Sequence, residues 1–297
     1  MKAILKNLNT EYINYIRDNK KITDENLRRD FINLLKTENL EKRKILWDGF
    51  TVNINSIKQV PELANPYFIG FGNPESKVLF IGKEKAFSMT SSPHLLLQES
   101  INNILHWQLI ANGKDSVNFE FNPKNPRSYH KGKLKTRHTW GKYAQVLVGL
   151  KDKELDLKEL LKVNSENSQN IFEHCFMTEV NHLPSKYSKG KRLISERKEL
   201  LKNEFYKGFD VVIIGAKKYL NDEEIKEIFK IKESKKDVLL GTKGRNNNIK
   251  ITCDIYKSDS QFIVYCQQLS GASGWTNKAL DNLTKLLKTK SISSIKL

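Results

Sequence analysis

The sequence predicts an α/β fold in which a mainly parallel central sheet is covered by helices on both faces and is preceded by a helical extension. Two observations predict it. From about residue 65 onward, short β-rich runs alternate with segments of helical periodicity, which is the pattern of strand–helix–strand units. One run, Val211–Ile214, is apolar at every position, as expected for a strand that is buried on both faces.

The predicted elements divide the chain into two parts. The first fifty residues place apolar pairs at helical spacing between charges, which predicts two or three helices. We assign residues 1–60 to this N-terminal helical extension and residues 61–297 to the α/β domain. The predicted strands are Lys77–Gly82, Ile171–Val180, Phe209–Gly215, Ile249–Tyr256 and Gln261–Leu269. The predicted helices are Leu95–Ala111, Thr139–Leu150, Ser195–Tyr206, Glu223–Ile231 and Trp275–Lys288.

The chain is strongly basic. Its 51 Lys and Arg residues outnumber 34 Asp and Glu residues, which gives a net charge of +17. Such an excess is typical of proteins that bind nucleic acid. The alternative is a solvated, lysine-rich surface without a polyanionic partner.

Other sequence features indicate the cellular compartment and the kinds of cofactor to expect. No window approaches the about 20 consecutive apolar residues of a membrane helix, and the N-terminus lacks a signal-peptide pattern. The three cysteines lack the paired spacing of a disulfide framework or a zinc motif. We therefore expect a cytoplasmic protein that uses no membrane, metal or small-molecule cofactor. We also expect a monomer, and the charge excess favours nucleic acid as its partner.

The residues after the first predicted strand are candidates for chemistry. Ligands of open α/β sheets bind beyond the carboxyl ends of the strands. Gly82 ends the strand, and Lys83, Glu84 and Lys85 follow it. The lysines favour an ionised Glu84 by supplying opposite charge, and a carboxylate there could orient a water or stabilise a developing cation. The alternative is a solvent-exposed cluster of salt bridges.

Two basic segments provide candidate DNA contacts. Asn118–Lys142 interleaves its charges with Tyr129, His130, His138 and Trp140, as a surface that contacts phosphates and stacks on bases requires. The alternative for this segment is a flexible solvated insertion. A second cluster follows a predicted strand, in Leu183–Leu193. The candidates are Lys131, Lys133, Lys135 and Arg137 in the first segment, and Lys186, Lys189, Lys191 and Arg192 in the second.

Four blocks, taken in order, resemble the uracil-DNA glycosylase superfamily. They are VLFIGKEKAF (Val78–Phe87), FMTEVNHLPSK (Phe176–Lys186), FDVVIIGAKKYL (Phe209–Leu220) and YCQQLSGASG (Tyr265–Gly274). The resemblance covers about residues 66–287 and depends on the order of the blocks. It implies a three-layer α/β/α fold with a parallel sheet, and hydrolysis of the N-glycosidic bond of a flipped base without a metal.

The resemblance also implies roles for the matching residues. Glu84 falls where the family places the residue that activates water, and Phe87 where a side chain stacks on the extruded base. Gln268 and Ser270 fall on a His-Pro-Ser-like motif. The proline of the first motif and the histidine and proline of the late motif are absent, so neutral Gln268 replaces a histidine. The other implied contacts are Gly82 and Lys83 at the base, and Ser273 and Trp275 in a loop that presses into the duplex, with Trp275 as the wedge.

The middle block suggests which base is bound. Uracil-specific relatives often place an asparagine where this chain has Glu179, and Asn181 lies on the same side of the strand. An ionised carboxylate only accepts hydrogen bonds, so it suits the N4 amine of cytosine and repels the O4 of uracil. The alternative is a structural carboxylate that pairs with Lys186 or Arg192.

The sequence therefore predicts a monofunctional DNA glycosylase that leaves an abasic site. Its predicted base is a modified cytosine, because attack on ordinary cytosine would destroy the host genome. A role in defence against phage with modified DNA follows from that prediction. The alternatives are a catalytically inactive nucleic-acid-binding protein of the same fold, a uracil-DNA repair enzyme and, from another class, a metal-dependent nuclease.

Overall fold

The computed structural model describes most of the chain, and the described residues form two compact units. The described ranges are 1–51, 60–84, 93–114, 123–124, 134–151, 155–162, 170–184, 194–244, 248–270 and 273–291. The helical unit contains residues 1–70, 84–123 and 179–200, and the sheet unit contains residues 71–83, 124–178 and 201–297. The N-terminal helices thus belong with two later segments, and the boundary differs from the one expected at residue 60.

The α/β class is confirmed, and each predicted strand and helix corresponds to an element of the structure. The helices are α1 (Lys2–Leu5), α2 (Leu8–Asp18), α3 (Glu25–Lys36), α4 (Leu40–Thr51), α5 (Pro93–Ala111), α6 (Thr139–Leu150), α7 (Leu157–Leu160), α8 (Ser195–Leu201), α9 (Glu204–Lys207), α10 (Asp222–Phe229) and α11 (Asn277–Ser291). The strands are β1 (Phe71–Gly72), β2 (Val78–Gly82), β3 (Phe176–Glu179), β4 (Val211–Ile214), β5 (Glu233–Lys243), β6 (Ile249–Lys257) and β7 (Phe262–Cys266). Within the described ranges, no helix is long and apolar enough to cross a membrane.

Helices α2 and α3 form because each combines a helical apolar stripe with local capping or tertiary hydrogen bonds. The Asp24 carboxylate accepts hydrogen bonds from the backbone N–H groups of Asn26 and Leu27, each at 3.0 Å, and so caps α3. Tyr12 of α2 packs edge-on against Phe31 of α3, with ring centroids 6.1 Å apart. The buried Tyr12 hydroxyl donates to the Leu63 carbonyl, so α2 is fixed to the 3₁₀ turn at Val60–Leu63.

Polar side chains of α5 fix the segment that leads into β1. The Asn103 side chain accepts from the Ile69 N–H and donates to the Gly70 carbonyl, both at 2.9 Å. Trp107 donates its indole N–H to the same Gly70 carbonyl, also at 2.9 Å. Asn103 and Trp107 are fully buried, so these bonds satisfy backbone groups that would otherwise be buried without partners.

The seven strands form one mixed sheet in the order β1-β3-β2-β4-β7-β6-β5. The central pairs β2–β4 and β4–β7 are parallel, as predicted. The outer pairs β1–β3, β6–β7 and β5–β6 are antiparallel. The sheet therefore has a parallel centre and antiparallel margins, and its likeness to the glycosylase sheet remains a proposal.

Strand β5 was not predicted from the sequence. Its first five residues, Glu233–Asp237, are exposed and mostly charged, so the segment lacks the apolar pattern of a buried strand. It nevertheless pairs with β6 along most of its length, with two register shifts. An edge strand needs a partner on one side only, and its polar face can remain in solvent, which explains why apolar patterning did not reveal it.

Helices α6 and α11 pack on the sheet unit. Tyr143 of α6 stacks on Phe80 of β2, with centroids 4.0 Å apart and planes 12° apart. Asn282 of α11 donates to the Leu240 carbonyl of β5 at 2.8 Å. A Cβ placed on Gly149 would lie 2.6 Å from a side-chain carbon of Thr284, so glycine permits the close approach of α6 and α11.

Replacing Gly72 by alanine should strongly destabilise the protein. Gly72 has φ +106°, and an added Cβ would lie 2.2 Å from the Cys175 carbonyl oxygen, where β1 pairs with β3. Backbone strain alone is expected to cost about 1–3 kcal/mol, and relief of the clash requires strand displacement. Urea denaturation measures the change in free energy of unfolding.

Gly113→Ala is the matched control for Gly72→Ala. Gly113 also has a positive φ, +70°, but an added Cβ meets nothing within 4 Å. This variant should therefore show strain without a clash and lose less stability. Equal losses in the two variants would contradict the inferred close approach of β1 to Cys175.

Candidate functional site

The strand order places a topological switch point between β2 and β4. After β2, the chain adds β3 on one side and then β4 on the other. In open α/β sheets, ligands bind beyond the carboxyl ends of the strands at such a point. The residues there in the sheet unit are Gly82, which ends β2, Lys83, which follows it, and Gly215–Tyr219 after β4. Of these residues, the sequence predicts a base contact for Gly82 and Lys83.

The segments that follow β4 and β7 lie in contact. A Cβ placed on Gly215 would lie 3.4 Å from the Gln268 Cα and 3.5 Å from the Leu269 nitrogen. The Lys217 N–H donates to the carbonyl of Cys266, the last residue of β7, at 2.9 Å. The third block of the sequence and Gln268 of the fourth therefore meet at one edge of the sheet.

Lys83 points at an aromatic ring in the sheet unit. Its ammonium lies 5.3 Å from the ring centroid of Tyr219, which is within the range of a cation–π contact. The sequence predicted that Lys83 would help to keep Glu84 ionised. The described contact of Lys83 is instead with the turn after β4.

Glu84 is the second residue after β2 and is half-buried. Its Oε2 atom is buried and has no hydrogen-bond partner among the described residues. No ion pair of Glu84 is found in that part of the chain either, so the exposed salt-bridge cluster considered from the sequence is not observed there. A buried carboxylate oxygen without a partner is unfavourable for folding, which is a reason to look for a function. Lys85 and Phe87 lie outside the described residues.

Gln268 and Ser270 make local contacts. The Gln268 amide lies 3.4 Å from the Thr139 hydroxyl at the start of α6. The Ser270 hydroxyl is 3.1 Å from the Ser273 hydroxyl, and the Ser273 N–H donates to the Ser270 carbonyl at 3.1 Å. Ser270 and Ser273 therefore lie close together, and residues 271–272 between them are outside the described ranges.

Trp275 differs from the wedge that the sequence predicted. Its side chain is 6% exposed, because the residue packs into the fold just before α11. An inserting wedge must project into solvent, so insertion would require Trp275 to leave its buried position. The wedge assignment is corrected to a core residue.

Tyr265 is a positioning residue that the sequence analysis missed. Its hydroxyl accepts from the N–H of Lys218 at 2.8 Å and donates to the Leu220 carbonyl at 2.7 Å. Burial raises the pKa of Tyr265 above its ordinary value, so the hydroxyl stays protonated and can donate. Tyr265 is the one residue with a hydroxyl group in the otherwise apolar strand β7. That hydroxyl was the only sequence feature that could have indicated its positioning role.

Arg197 organises the end of β3 within the helical unit. Its guanidinium donates to the Glu179 carbonyl, to the Pro66 carbonyl at 3.1 Å and to the Phe68 carbonyl at 2.6 Å. Arg197 is 1% exposed, so three carbonyls from two backbone segments share one buried cation. Glu179 itself is half-buried, with a buried Oε2 atom. Its pairing with Lys186 or Arg192 lies outside the described residues.

Asn181 has a structural role that the sequence did not predict. It is 2% exposed, and its side-chain oxygen accepts from the Leu183 N–H at 3.1 Å. This is the local bond of an Asx turn, which uses one of the two acceptor sites of the amide oxygen. The base contact that the resemblance implies for Asn181 stays a prediction.

A tyrosine–histidine pair lies in the helical unit, next to Asn181 in the chain. Tyr15 Oη is 3.0 Å from His182 Nε2, and the rings are T-shaped with centroids 5.9 Å apart. Burial, followed by the carboxylates of Glu196 and Glu62, raises the pKa of Tyr15 well above its ordinary value. His182 lies within the second sequence block, and the sequence pattern predicted no role for it.

Only some of the predicted basic contacts are described. Lys135 and Arg137 are exposed just before α6, and Gly141 allows close approach to the Lys135 carbonyl, since an added Cβ would lie 2.2 Å from it. The ring of Trp140 packs against those of Phe71 and Phe172, with centroid separations of 5.7 and 4.8 Å. Trp140 therefore belongs to an aromatic cluster of the sheet unit. The other candidate DNA contacts lie outside the described residues: Lys131, Lys133, Lys186, Lys189, Lys191 and Arg192.

Metal-ligand clusters and known relatives provide no further guide. In the ranges that the structure describes, no group of three or more His, Cys, Asp and Glu residues could hold a metal ion. No protein-family model, curated protein or solved structure matches the chain. The functional assignment therefore depends on the residues at the strand ends and on the sequence blocks that contain them.

Proposed function

We propose that the protein is a DNA glycosylase that flips a base out of DNA and hydrolyses its N-glycosidic bond. The observation that carries the proposal is the position of Glu84. This carboxylate follows the strand at the switch point of the sheet, and its buried Oε2 atom has no hydrogen-bond partner among the described residues. The resemblance of the four blocks to the uracil-DNA glycosylase superfamily supports the same assignment.

The proposed chemistry uses Glu84 as the water-directing group. Cleavage breaks the bond between C1′ and the base nitrogen, and the sugar develops positive charge. Glu84 accepts a hydrogen bond from water and stabilises that charge. The water oxygen then bonds to C1′, its proton passes to Glu84, and the departing base is protonated from solvent. An abasic site remains in the strand.

Gln268 and Lys83 are proposed to assist at the leaving base. The Gln268 amide can donate a hydrogen bond to an oxygen of the departing base, which is a neutral substitute for a histidine donor. Lys83 adds positive charge where the base leaves with its bonding electrons. Ser270 is proposed to contact a flanking phosphate through its hydroxyl.

The proposed substrate is DNA because an excess of positive charge favours a polyanionic partner and the four sequence blocks resemble DNA glycosylases. The net charge is +17, and Lys135 and Arg137 are exposed. Phosphate contacts from such residues supply binding free energy without reading sequence. That energy offsets the few kcal/mol required to flip a base.

Incubation with a set of oligonucleotides followed by alkali tests the function. The substrates contain uracil, cytosine or a modified cytosine at one position. We expect alkali-labile strands from at least one of them, with the modified cytosine cleaved best. Tight binding without base release would favour an inactive DNA-binding protein, and strand breaks that require magnesium would favour a nuclease.

Glu179→Gln should change the base preference. Glutamine offers both a donor and an acceptor, so the repulsion of uracil O4 by the carboxylate disappears. A good hydrogen-bonded base contact is worth about 1–3 kcal/mol of discrimination. The ratio of uracil release to modified-cytosine release should therefore rise by roughly 5- to 150-fold, measured in competition on mixed oligonucleotides.

Glu199→Gln is the control for base preference, because Glu199 is an exposed glutamate of α8. The base preference of the Glu199→Gln protein should equal that of the wild-type protein. An unchanged ratio in Glu179→Gln, with base release intact, would show that Glu179 does not read the base.

A further inference from the structure

The ribbon formed by β5 and β6 projects past the strand on which it is built. β6 pairs with β7 only from Cys253 onward, and Cys253 lies opposite Cys266, the last residue of β7. Residues Ile249–Thr252 therefore extend beyond β7, roughly 13 Å at about 3.3 Å per residue. β5 pairs with this overhang as far as Lys243, which lies opposite Ile249.

The overhang lies at the functional edge of the sheet. β2, β4 and β7 are parallel, so their carboxyl ends are at the same edge. The ribbon extends past the carboxyl end of β7. It therefore stands beside the turn after β4 and the loop after β7.

A lysine holds the ribbon to the loop that follows β7. The Lys243 ammonium donates to the Ser273 carbonyl at 2.7 Å. Gly274 has φ +73°, and a Cβ placed there would lie 2.4 Å from the Lys243 nitrogen. Glycine therefore allows the lysine to cross the loop, and the ribbon has a defined position beside it.

One face of the overhang is covered and the other is open. Gly241 faces α11, since an added Cβ would lie 3.3 Å from the Ala279 Cβ. Successive residues of a strand alternate between faces, and directly paired residues share a face. Thr242 and its partner Lys250 are thus on the opposite face. This open face consists of Leu239, Thr242, Lys250 and Thr252.

The open face has the chemistry of a phosphate-binding surface. Lys250 is exposed, and no carboxylate pairs with it in the described part of the chain. Leu239 is 56% exposed. The sequence from Leu239 to Lys250 contains three basic residues and no acidic residue. At the other end of the ribbon, Lys257 is paired with Glu233 at 3.5 Å, so the uncompensated charge lies at the overhang.

We propose that the open face of the β5–β6 ribbon binds the sugar-phosphate backbone of duplex DNA, an inference that rests on the proposed DNA substrate. The Lys250 ammonium pairs with a phosphate, and the hydroxyls of Thr242 and Thr252 donate to phosphate oxygens. Leu239 packs against a deoxyribose. The ribbon thereby fixes the duplex beside the strand ends where the base is released.

The salt dependence of DNA binding tests the ribbon. Fluorescence anisotropy with a labelled duplex measures affinity at several salt concentrations for the wild-type protein, Lys250→Gln and Lys257→Gln. Loss of one phosphate contact lowers the slope of log affinity against log salt by about 1. We expect this decrease in Lys250→Gln and an unchanged slope in Lys257→Gln, with identical thermal unfolding of the three proteins.

The possible outcomes distinguish failure of the ribbon inference from failure of the proposed function. Wild-type binding with an unchanged slope and affinity in Lys250→Gln would overturn the ribbon inference and leave the glycosylase proposal intact. Absence of binding to duplex would overturn the ribbon inference, and absence of binding to both duplex and single-stranded DNA by the wild-type protein would overturn both proposals. Loss of self-association in Lys250→Gln, with DNA binding unchanged, would assign the open face to a second copy of the chain instead.

Discussion

Replacement of Glu84 by glutamine is expected to lower the rate of base release by about 10²- to 10⁴-fold, the range for loss of a general acid–base group. Glutamine keeps the size of the side chain and removes the negative charge that stabilises the developing sugar cation. Single-turnover measurements on an oligonucleotide with the preferred base give the rate directly. Affinity for the same oligonucleotide should change little, because phosphate contacts dominate binding.

Glu75→Gln is the matched control for this loss. Glu75 is an exposed glutamate in the turn before β2, and Glu84 follows the same strand. The control removes one negative charge at the opposite end of β2 and should retain the wild-type rate. A Glu84→Gln protein that releases base at the wild-type rate would eliminate Glu84 as the water-directing group.

Arg197→Met should strongly destabilise the helical unit. The change leaves the carbonyls of Pro66, Phe68 and Glu179 without their buried donor. Each unsatisfied buried group costs about 1–3 kcal/mol, so a decrease of roughly 3–5 kcal/mol in the free energy of unfolding is expected after partial relaxation. Urea denaturation measures it.

Arg29→Met provides the comparison for Arg197→Met. Arg29 is 64% exposed and pairs with Asp30 at 3.0 Å. Exposed ion pairs contribute about 0–1 kcal/mol, so this variant should unfold close to the wild-type midpoint. A loss below about 1 kcal/mol in Arg197→Met would mean that water replaces the guanidinium at all three carbonyls.

The elements with strong local patterns were predictable from the sequence. Val211–Ile214 is uniformly apolar and forms β4, and Thr139–Leu150 has the same bounds in the prediction and in the structure. The strand ends followed from the same patterns, so Gly82 was correctly predicted to be the last residue of its strand. Local periodicity was sufficient because these segments are buried by their own apolar residues.

Features that depend on long-range contacts were not predictable. The exposed charges of Glu233–Asp237 concealed an edge strand, and the burial of Trp275 depends on packing between distant segments. Arg197 resembles any surface arginine in the sequence, although its donors meet three carbonyls in the fold. The grouping of residues 1–70 with 84–123 and 179–200 likewise follows from tertiary contacts.

Mass spectrometry of a completed reaction tests the central claim most directly. The wild-type protein is incubated without magnesium with a duplex that contains one modified cytosine, and the small-molecule and strand fractions are analysed separately. A glycosylase of the proposed kind releases one free cytosine-derived base for each strand that gains an abasic site, and Glu84→Gln releases neither product. Intact bases on every substrate, or release that persists undiminished in Glu84→Gln, would contradict the proposed role of the strand-end carboxylate.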